Sequence, residues 1–188
     1  MEILKSYIRK RITIEDELLN YIIAFFNPLK TKRNQILLSP GEVCKYYYFV
    51  NKGCLRLFAL NEAGNEATRY FAFEGAFGTA LPSLIQQTPA FEYVQTIEPS
   101  ELLAISRKDF FMLVENVPQM AFIYRQILEM GFITAQKRIY GFQNLSALDK
   151  LKWAIDYQPD FLNRVSNKMA ASFLGLTPST LSRLKAKL

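Results

Sequence analysis

The chain reads NKMAASFLGLTPSTLSRLKAKL over residues 167–188, which predicts two short helices joined by a tight turn. Gly175 is placed at the turn, because a residue that tolerates positive φ lets one helix end and the next leave at a steep angle. Thr177 is a good N-cap for the second helix, and Pro178 suits its first position, where a missing N–H costs nothing. This pattern is typical of a helix-turn-helix.

The two predicted helices carry different kinds of side chain on their two faces. Small and apolar side chains occur where the helices must bury a shared face, at Ala170, Ala171, Leu174, Leu176, Leu181 and Leu184. The exposed face of the second helix carries groups suited to base edges and phosphates, at Ser179, Ser182, Arg183 and Lys187. Residues 164–188 contain five cations and no carboxylate, within a chain of net charge +6. This basic footprint favours double-stranded DNA as the partner over the alternative, an ordinary helical hairpin that only packs.

The composition is that of an ordinary globular protein and excludes several kinds of catalytic site. The chain has 188 residues, 50% of them apolar, which is enough for one medium domain or two small ones. It contains no histidine, so zinc hydrolases, histidine-based triads and histidine-ligated haem are not expected. Cys44 and Cys54 match no metal-ligand spacing and are interpreted as half-buried free thiols. We therefore expect no catalytic residue, no metal site and no cofactor, and no enzyme activity.

Hydropathy gives no indication of a membrane protein. The longest apolar runs, residues 21–26 and 46–50, are far too short to span a bilayer. The N-terminal sequence MEILKSYIRKR lacks the apolar segment of a signal peptide. These features predict a cytoplasmic protein that does not bind membranes.

The first 105 residues predict a helix followed by a barrel of short strands. Thr13, with Asp16 three residues later, resembles a capping box and predicts an N-terminal helix of about ten residues. From residue 35 to 105, β-branched and aromatic runs alternate with turn signals. Strands are expected near residues 35–38, 46–50, 54–60, 66–73, 91–98 and 101–105. Many short strands at this spacing indicate a jelly roll or small barrel, with a loop and one short helix over residues 75–89.

The helical period returns after residue 107, first in a short helix and then, after Pro118, in a long one that reaches about Tyr140. Apolar side chains recur along the long helix at three- and four-residue steps, at Met120, Ile123, Ile127 and Met130. Further apolar residues widen this surface, so the helix needs two partners. The barrel is one, and a second copy of the same helix across a twofold axis is our choice for the other. Burial within a single chain is the alternative.

Another helix is predicted over residues 147–157, where its apolar side chains can pack beneath the terminal motif, and residues 164–166 are predicted to form a short wing strand. The predicted fold class is therefore α+β. Its parts are a jelly-roll domain with flanking helices (residues 1–115), a long dimerisation helix (116–140) and a winged helix-turn-helix domain (141–188).

This order of elements resembles the Crp/Fnr family of bacterial transcription regulators. The matching phrases in the barrel are SPGE at 39–42, YFVNKG at 48–53 with Arg56, GNE at 64–66 and FG at 77–78. In the C-terminal part they are Pro159, RV at 164–165, AASFLGLTP at 170–178 and LSR at 181–183. The divergence and the short terminal domain resemble members found in Bacteroidetes-type bacteria. The resemblance implies a homodimer whose cyclic-nucleotide-binding-type sensor barrel communicates through the long helix with two DNA-reading helices, with RNA polymerase as a further partner.

The ligand site departs from the family pattern. Members that bind cyclic nucleotides follow the Phe-Gly pair with a Glu for the ribose, and later place an Arg-Ser or Arg-Thr on the cyclic phosphate. Here Thr79 follows Gly78, and no Arg or Lys lies between Arg69 and Arg107. Because a buried phosphate without a matched cation carries a large desolvation cost, we expect that cyclic AMP is not the effector. The candidates to hold a small neutral or apolar effector are Phe77, Gly78, Thr79, Phe91, Tyr93 and Gln95, unless these residues simply fill the barrel.

The reading helix also differs from the family at one position. Ser179 stands where members often have Glu, four residues before the family arginine, here Arg183. Arg183 is predicted to bind guanine O6 and N7, worth about 1–3 kcal/mol of discrimination, with Ser179 and Ser182 also at base edges. Contacts to DNA phosphates are predicted for Lys168, Thr177, Thr180 and Lys185. In a dimer, the two reading helices should lie about 34–36 Å apart on a near-palindromic site.

Two other functions remain as alternatives. The first is a cupin-like barrel enzyme, although such barrels usually hold a metal through clustered histidines, which this sequence lacks. The second is a degenerate sensor or protein-interaction module that no longer reads DNA, which the loss of the family glutamate at Ser179 favours.

Overall fold

The computed structural model describes residues 1–187, so Leu188, the last residue of the predicted helix-turn-helix domain, lies outside the described residues. The chain divides into two compact units. The first unit comprises residues 1–59 and 70–127, and the second comprises residues 60–69 together with those from 128 onward.

The structure contains eight strands and nine helices within the described residues. The strands are Asn27–Thr31 (β1), Ile36–Leu38 (β2), Tyr46–Lys52 (β3), Leu55–Leu60 (β4), Glu66–Ala72 (β5), Phe77–Gly78 (β6), Tyr93–Thr96 (β7) and Ser100–Ser106 (β8). The helices are Glu2–Arg9 (α1), Asp16–Ile23 (α2), Leu81–Gln86 (α3), Arg107–Asn116 (α4), Pro118–Asn144 (α5), Ala147–Tyr157 (α6), Phe161–Arg164 (α7), Asn167–Leu174 (α8) and Pro178–Lys185 (α9).

The strands form two four-stranded sheets with the orders β1-β8-β3-β6 and β2-β7-β4-β5. The pairs β1–β8, β3–β8, β3–β6, β2–β7 and β4–β7 are antiparallel. The sheets face each other, because a Cβ built on Gly78 of β6 would lie 3.3 Å from Leu55 Cδ1 and 3.7 Å from Leu57 Cδ1 of β4. This antiparallel sandwich, with a long helix and C-terminal helices after it, confirms the predicted α+β class.

The first sheet is covered on both faces, which explains why β3 is buried from Tyr47 to Val50 without alternation. Tyr48 and Val50 point between the sheets, because Tyr48 lies opposite Gly78 in the register. Phe49 points the other way and meets the ring of Tyr7 in α1 at 5.5 Å. On the same outer face, the rings of Tyr47 and Phe110 in α4 lie 4.9 Å apart. Helices α1 and α4 therefore complete the core behind this sheet.

Two elements near the N-terminus differ from the prediction. Helix α1 was not predicted, and Thr13 does not cap α2: the N-cap is Glu15, which makes no side-chain cap bond. Strand β1 was also not predicted, because its sequence NPLKT is polar and contains Pro28. A proline is tolerated there because β1 lies at the edge of its sheet.

The long helix α5 begins at Pro118 as predicted and continues to Asn144. Met120 and Ile123 are buried in the core of the first unit, so these two of the four residues assigned to the dimer helix contact their own chain instead. Ile127 is half-buried against the same core. Met130, the fourth, is 62% exposed. Both faces of α5 are apolar, so the three- and four-residue spacing could not tell them apart. Most of the residues that we assigned to the dimer contact lie on the face that packs on the barrel.

The second unit contains the rest of the helical part of the chain. Helix α6 has the predicted bounds, and its N-cap Ser146 accepts a hydrogen bond from the Asp149 amide. The predicted wing strand at residues 164–166 is wrong. Arg164 ends the short helix α7, and Ser166 caps α8 by accepting a hydrogen bond from the Met169 amide. Across residues 1–187, no helix is both long and apolar enough to span a membrane.

Candidate nucleic-acid interface and sensor barrel

Helices α8 and α9 are joined by the tight turn predicted at Gly175. Gly175 is the C-cap of α8 with a φ of +66°, in the left-handed region where a side chain is strained. The Leu176 amide donates to Ala171 O at 2.9 Å and completes the turn. Ala171 is 1% exposed, so a larger side chain there would have to displace its neighbours. The local sequence thus sets the path of the chain between the two helices.

The shared face of the motif is apolar. Ala170, Leu174 and Leu181 are fully buried. Phe173 of α8 lies 5.4 Å from the ring of Phe161 in α7 and 6.2 Å from that of Trp153 in α6. This aromatic cluster packs α8 against α6 and α7, while Ser179, Ser182 and Arg183 of α9 stay exposed.

The start of α9 is a cluster of exposed hydroxyl groups. Thr177 Oγ1 accepts a hydrogen bond from the Thr180 amide at 3.1 Å and caps the helix. It also donates to Thr180 Oγ1 at 2.9 Å and lies 3.0 Å from Ser179 Oγ. Hydroxyl and amide groups at a helix N-terminus suit an anion such as a DNA phosphate. Thr177 and Thr180, two of the predicted phosphate contacts, are thus placed together.

The predicted base-reading residues lie on the exposed side of α9. Ser179, Ser182 and Arg183 are all exposed. Ser182 Oγ accepts a hydrogen bond from Asn167 Nδ2 at 3.0 Å, and the same amide donates to Pro178 O at 2.9 Å. Asn167 connects the start of α8 to α9, a role that the sequence analysis missed because this contact spans 15 residues and leaves no local signal.

The two lysines predicted to contact phosphate have different surroundings. Lys185 is half-buried on α9. Lys168 on α8 is exposed, but its Nζ lies 3.1 Å from Glu66 Oε1 at the start of β5. Residues 164–188 contain no carboxylate side chain of their own. The fold nevertheless places the Glu66 carboxylate beside Lys168, which is 102 positions away in the sequence.

In the barrel, the structure does not assemble the predicted effector pocket. Gly78 points between the sheets, where its Cβ would meet Leu55, Leu57 and Ala72. Thr79 is buried, and its hydroxyl donates to Tyr46 O at 2.8 Å. Only these two candidates lie together, next to one another in the chain.

The other four candidates lie elsewhere. Phe77 points behind the first sheet, where its ring is 4.9 Å from that of Phe49. Phe91 is 64% exposed. Tyr93 and Gln95 of β7 pair with Phe58 and Arg56 of β4, and paired residues share a face of the sheet. Since Leu55 and Leu57 alternate with these β4 residues and point inward, Tyr93 and Gln95 point away from Gly78.

The outward face of the second sheet carries a buried polar and aromatic cluster that the sequence analysis did not identify. The rings of Phe58 and Tyr93 stack at 4.8 Å, and the Arg56 guanidinium lies 4.2 Å from the Phe58 centroid. Arg56 is 1% exposed, and Gln95 Oε1 is buried with no hydrogen-bond partner among the described residues. The barrel's buried guanidinium therefore lies outside the space between the sheets.

The inner face carries mainly apolar side chains together with Tyr48 and Thr96, and none of the inward-pointing residues named in the described strands is a cation. Val94 and Thr96 are the residues of β7 that point inward, opposite Leu57 and Leu55. Burial, followed by the neighbouring Cys44 and Tyr46, raises the pKa of Tyr48 far above its ordinary value. Glu92, just before β7, is 2% exposed and adds a carboxyl group to the barrel rather than a cation.

Residues 28–117 match the family described as the cyclic nucleotide-binding domain. Three solved structures are similar to this chain over most of its length. FixK2 from Bradyrhizobium japonicum has 16% identity and a TM-score of 0.77, over 87% of this chain and 84% of that chain. CLP, the c-di-GMP responsive global regulator of Xanthomonas campestris, has 16% identity and a TM-score of 0.72, over 92% and 91%. The catabolite activator protein of Thermus thermophilus has 20% identity and a TM-score of 0.58, over 93% and 84%. No curated protein matches the sequence.

Proposed function

We propose that this chain, which carries a cyclic nucleotide-binding family domain at residues 28–117 and has the fold of Crp/Fnr regulators, is a sequence-specific DNA-binding transcription regulator that acts as a homodimer. The observation that carries the proposal is the exposed face of α9, where a hydroxyl-rich N-terminus is followed by Arg183. Lys185, which is half-buried, adds a second cation to the last turn of the helix. A helix of this kind after a glycine turn suits the major groove, because it offers base-edge and phosphate contacts together.

Arg183 and Lys185 are expected to contribute to DNA binding in different ways. Arg183→Ala removes the bidentate contact to guanine, so preference should relax at one base pair per half-site, by about 1–3 kcal/mol. Lys185→Ala removes a phosphate contact, so binding should weaken on all sequences and the salt slope should flatten by about one unit. The measurement is the affinity for a set of single-base variants of a selected site, at several salt concentrations. Equal preference profiles for wild type and Arg183→Ala would refute the assignment of Arg183.

Dimerisation is supported by the C-terminal part of α5. Leu128, Phe132, Ala135 and Ile139 follow one another at steps of four, three and four residues, the spacing of a coiled-coil seam. Phe132 is 65% exposed and Ile139 is 56% exposed, which is costly for large apolar side chains in water. A second copy of the same helix would cover this seam. The seam consists of other residues than those that the sequence analysis assigned to the dimer contact.

For the barrel we propose that cyclic AMP is not the effector. The space between the sheets is narrow at Gly78, where an added Cβ would already lie 3.4 Å from Ala72 Cβ. None of the inward-pointing residues named near it, Tyr48 and Thr96 included, is a cation, and Arg56 lies on the other face of its sheet. A cyclic phosphate placed there would be desolvated without a cation. We expect any effector of this barrel to be small and neutral or apolar.

Calorimetric titration tests this expectation. Titration with cyclic AMP up to about 1 mM should give no saturable heat, which means that binding is weaker than about 4.1 kcal/mol. The protein's affinity for a selected DNA site should be the same with and without the nucleotide. Cyclic di-GMP serves as a second ligand, since CLP responds to it. Saturable binding of one cyclic AMP per chain would contradict the proposal.

A further inference from the structure

The hairpin between β4 and β5, residues 60–69, belongs to the second unit with the helix-turn-helix. Its turn is closed by several hydrogen bonds. The Asn61 amide donates to Asn65 O at 3.0 Å, and Asn61 Oδ1 accepts from the Asn65 amide at 2.9 Å. Gly64, with a φ of +76°, donates to Asn61 O at 2.9 Å. The turn therefore fixes the directions of the first side chains of β5.

Two of these side chains meet α8 at two points. Glu66 Oε1 lies 3.1 Å from Lys168 Nζ, and Thr68 Oγ1 lies 2.5 Å from Ser172 Oγ. Glu66 and Thr68 share one face of the strand and are about 6.6 Å apart, at about 3.3 Å per residue. Lys168 and Ser172 share one face of the helix and are about 6 Å apart, at about 1.5 Å per residue. The spacing of Glu66 and Thr68 on the strand thus matches that of Lys168 and Ser172 on the helix, so both contacts form at the same time.

Arg138 of α5 connects the same two elements a third time. Its guanidinium donates to Thr68 O at 3.0 Å, to Phe173 O at 2.7 Å and to Arg69 O. Phe173 O belongs to the last turn of α8, where carbonyl groups lack partners within the helix. Burial, followed by the charge of Arg69, lowers the pKa of Arg138 to about 10, so the group still carries its charge at neutral pH. The hairpin is thus held against α8 by hydrogen bonds at both ends of the contact.

The Glu66–Lys168 ion pair involves α8, which is the first helix of the helix-turn-helix. In a helix-turn-helix, the first helix crosses the DNA backbone, so its cations meet phosphates. The Lys168 side chain is 72% exposed and can reach a phosphate, whereas the Glu66 side chain is 20% exposed and is held in place by its strand. A carboxylate and a phosphate are both anionic oxygen acceptors for an ammonium group.

From this arrangement we infer that hairpin 60–69 competes with DNA for the helix-turn-helix. The Glu66 carboxylate binds the Lys168 ammonium group where a DNA phosphate would bind, and DNA displaces this carboxylate when it binds. The inference rests on the proposed DNA-binding function. It makes the hairpin a negative regulator of the helix-turn-helix, and any change that moves the hairpin from α8 would strengthen DNA binding.

Measurement of DNA affinity in a double-mutant cycle tests the inference. Glu66→Gln should bind a duplex two- to fivefold more tightly than wild type at about 0.1 M salt, the range expected for an exposed ion pair. In a Lys168→Gln background the same change should have no effect, because the competition acts through Lys168. Glu62→Gln is the matched control. It removes the same charge from the same hairpin, and Glu62 forms no ion pair within residues 1–187.

Three results would overturn the inference while wild-type DNA binding stands. They are unchanged affinity of Glu66→Gln, an equal gain for Glu62→Gln, and a gain that persists in the Lys168→Gln background. The last two would show that the hairpin acts only through its overall charge. A wild-type protein that binds no duplex at any salt concentration would instead refute the proposed function, and this inference with it.

Discussion

Phe132→Glu should convert the protein from a dimer to a monomer and abolish tight binding to a two-half-site DNA. The wild-type side chain is 65% exposed at the centre of the apolar seam of α5. Loss of a large aromatic contact at an interface centre costs about 2 kcal/mol or more, and a twofold dimer contains it twice. The dimer should therefore weaken by about a thousandfold, since about 1.4 kcal/mol is a factor of ten. Apposed carboxylates would add repulsion.

Sedimentation velocity over a concentration series gives the oligomeric state, and DNA binding is measured on the same samples. Phe91→Glu is the matched control, because Phe91 is 64% exposed and lies on the barrel, away from α5 in the sequence. This variant should remain dimeric and bind DNA as wild type does. A wild-type monomer at tens of micromolar, or a Phe132→Glu dimer as tight as wild type, would show that the seam is not the dimer interface.

Gly53→Ala should be the most destabilising small substitution in the barrel. Gly53 has a φ of +99°, and an added Cβ would lie 2.2 Å from Ser100 Oγ and 2.9 Å from the Ser100 Cα. The backbone conformation costs a side chain about 1–2 kcal/mol, and the overlap, part of it with backbone, adds about 1–3 kcal/mol. The turn cannot relax easily, because the Gly53 amide donates to Glu74 Oε1 at 2.7 Å and the Cys54 amide donates to Ser100 Oγ.

Gly41→Ala separates the two contributions. Gly41 has a φ of +89°, and a Cβ there would meet no heavy atom within 4 Å. Only the conformational cost should remain, about 1–2 kcal/mol. Urea unfolding followed by far-UV circular dichroism gives both values. If the two variants lost equal stability, the contact with Ser100 would not limit the turn.

The helix-turn-helix could be predicted because its signals are local. Gly175, Thr177 and Pro178 each set the backbone at their own position, and the structure has the turn, the cap and the start of α9 at those residues. Contacts distant in sequence gave no such signal. Glu66 meets Lys168 across 102 residues, and Asn167 meets Ser182 across 15. The sequence therefore did not predict that Glu66 lies beside the basic segment at residues 164–188.

The effector candidates show a different limit. In β7, alternation separates Tyr93 and Gln95 from Val94 and Thr96, but it does not tell which pair points inward. Both faces of this sheet bury apolar side chains: Leu57 lies on one face and Phe58 on the other. In a strand with one solvent-exposed face, the polar side chains show which face points outward. For β7 the orientation follows only from the register of the folded sheet. The same ambiguity placed Met120 and Ile123 in a dimer seam when they pack on the barrel.

Selection of DNA by the purified protein from a random duplex pool, at near-physiological salt, tests the central claim most directly. We expect enrichment of a near-palindrome whose half-sites are centred about 10–10.5 base pairs apart, one helical turn. We also expect Arg183→Ala to enrich the same spacing with one relaxed position in each half-site. Failure of the wild-type protein to enrich any sequence, alone and with a metabolite extract added, would contradict the claim that this chain reads DNA.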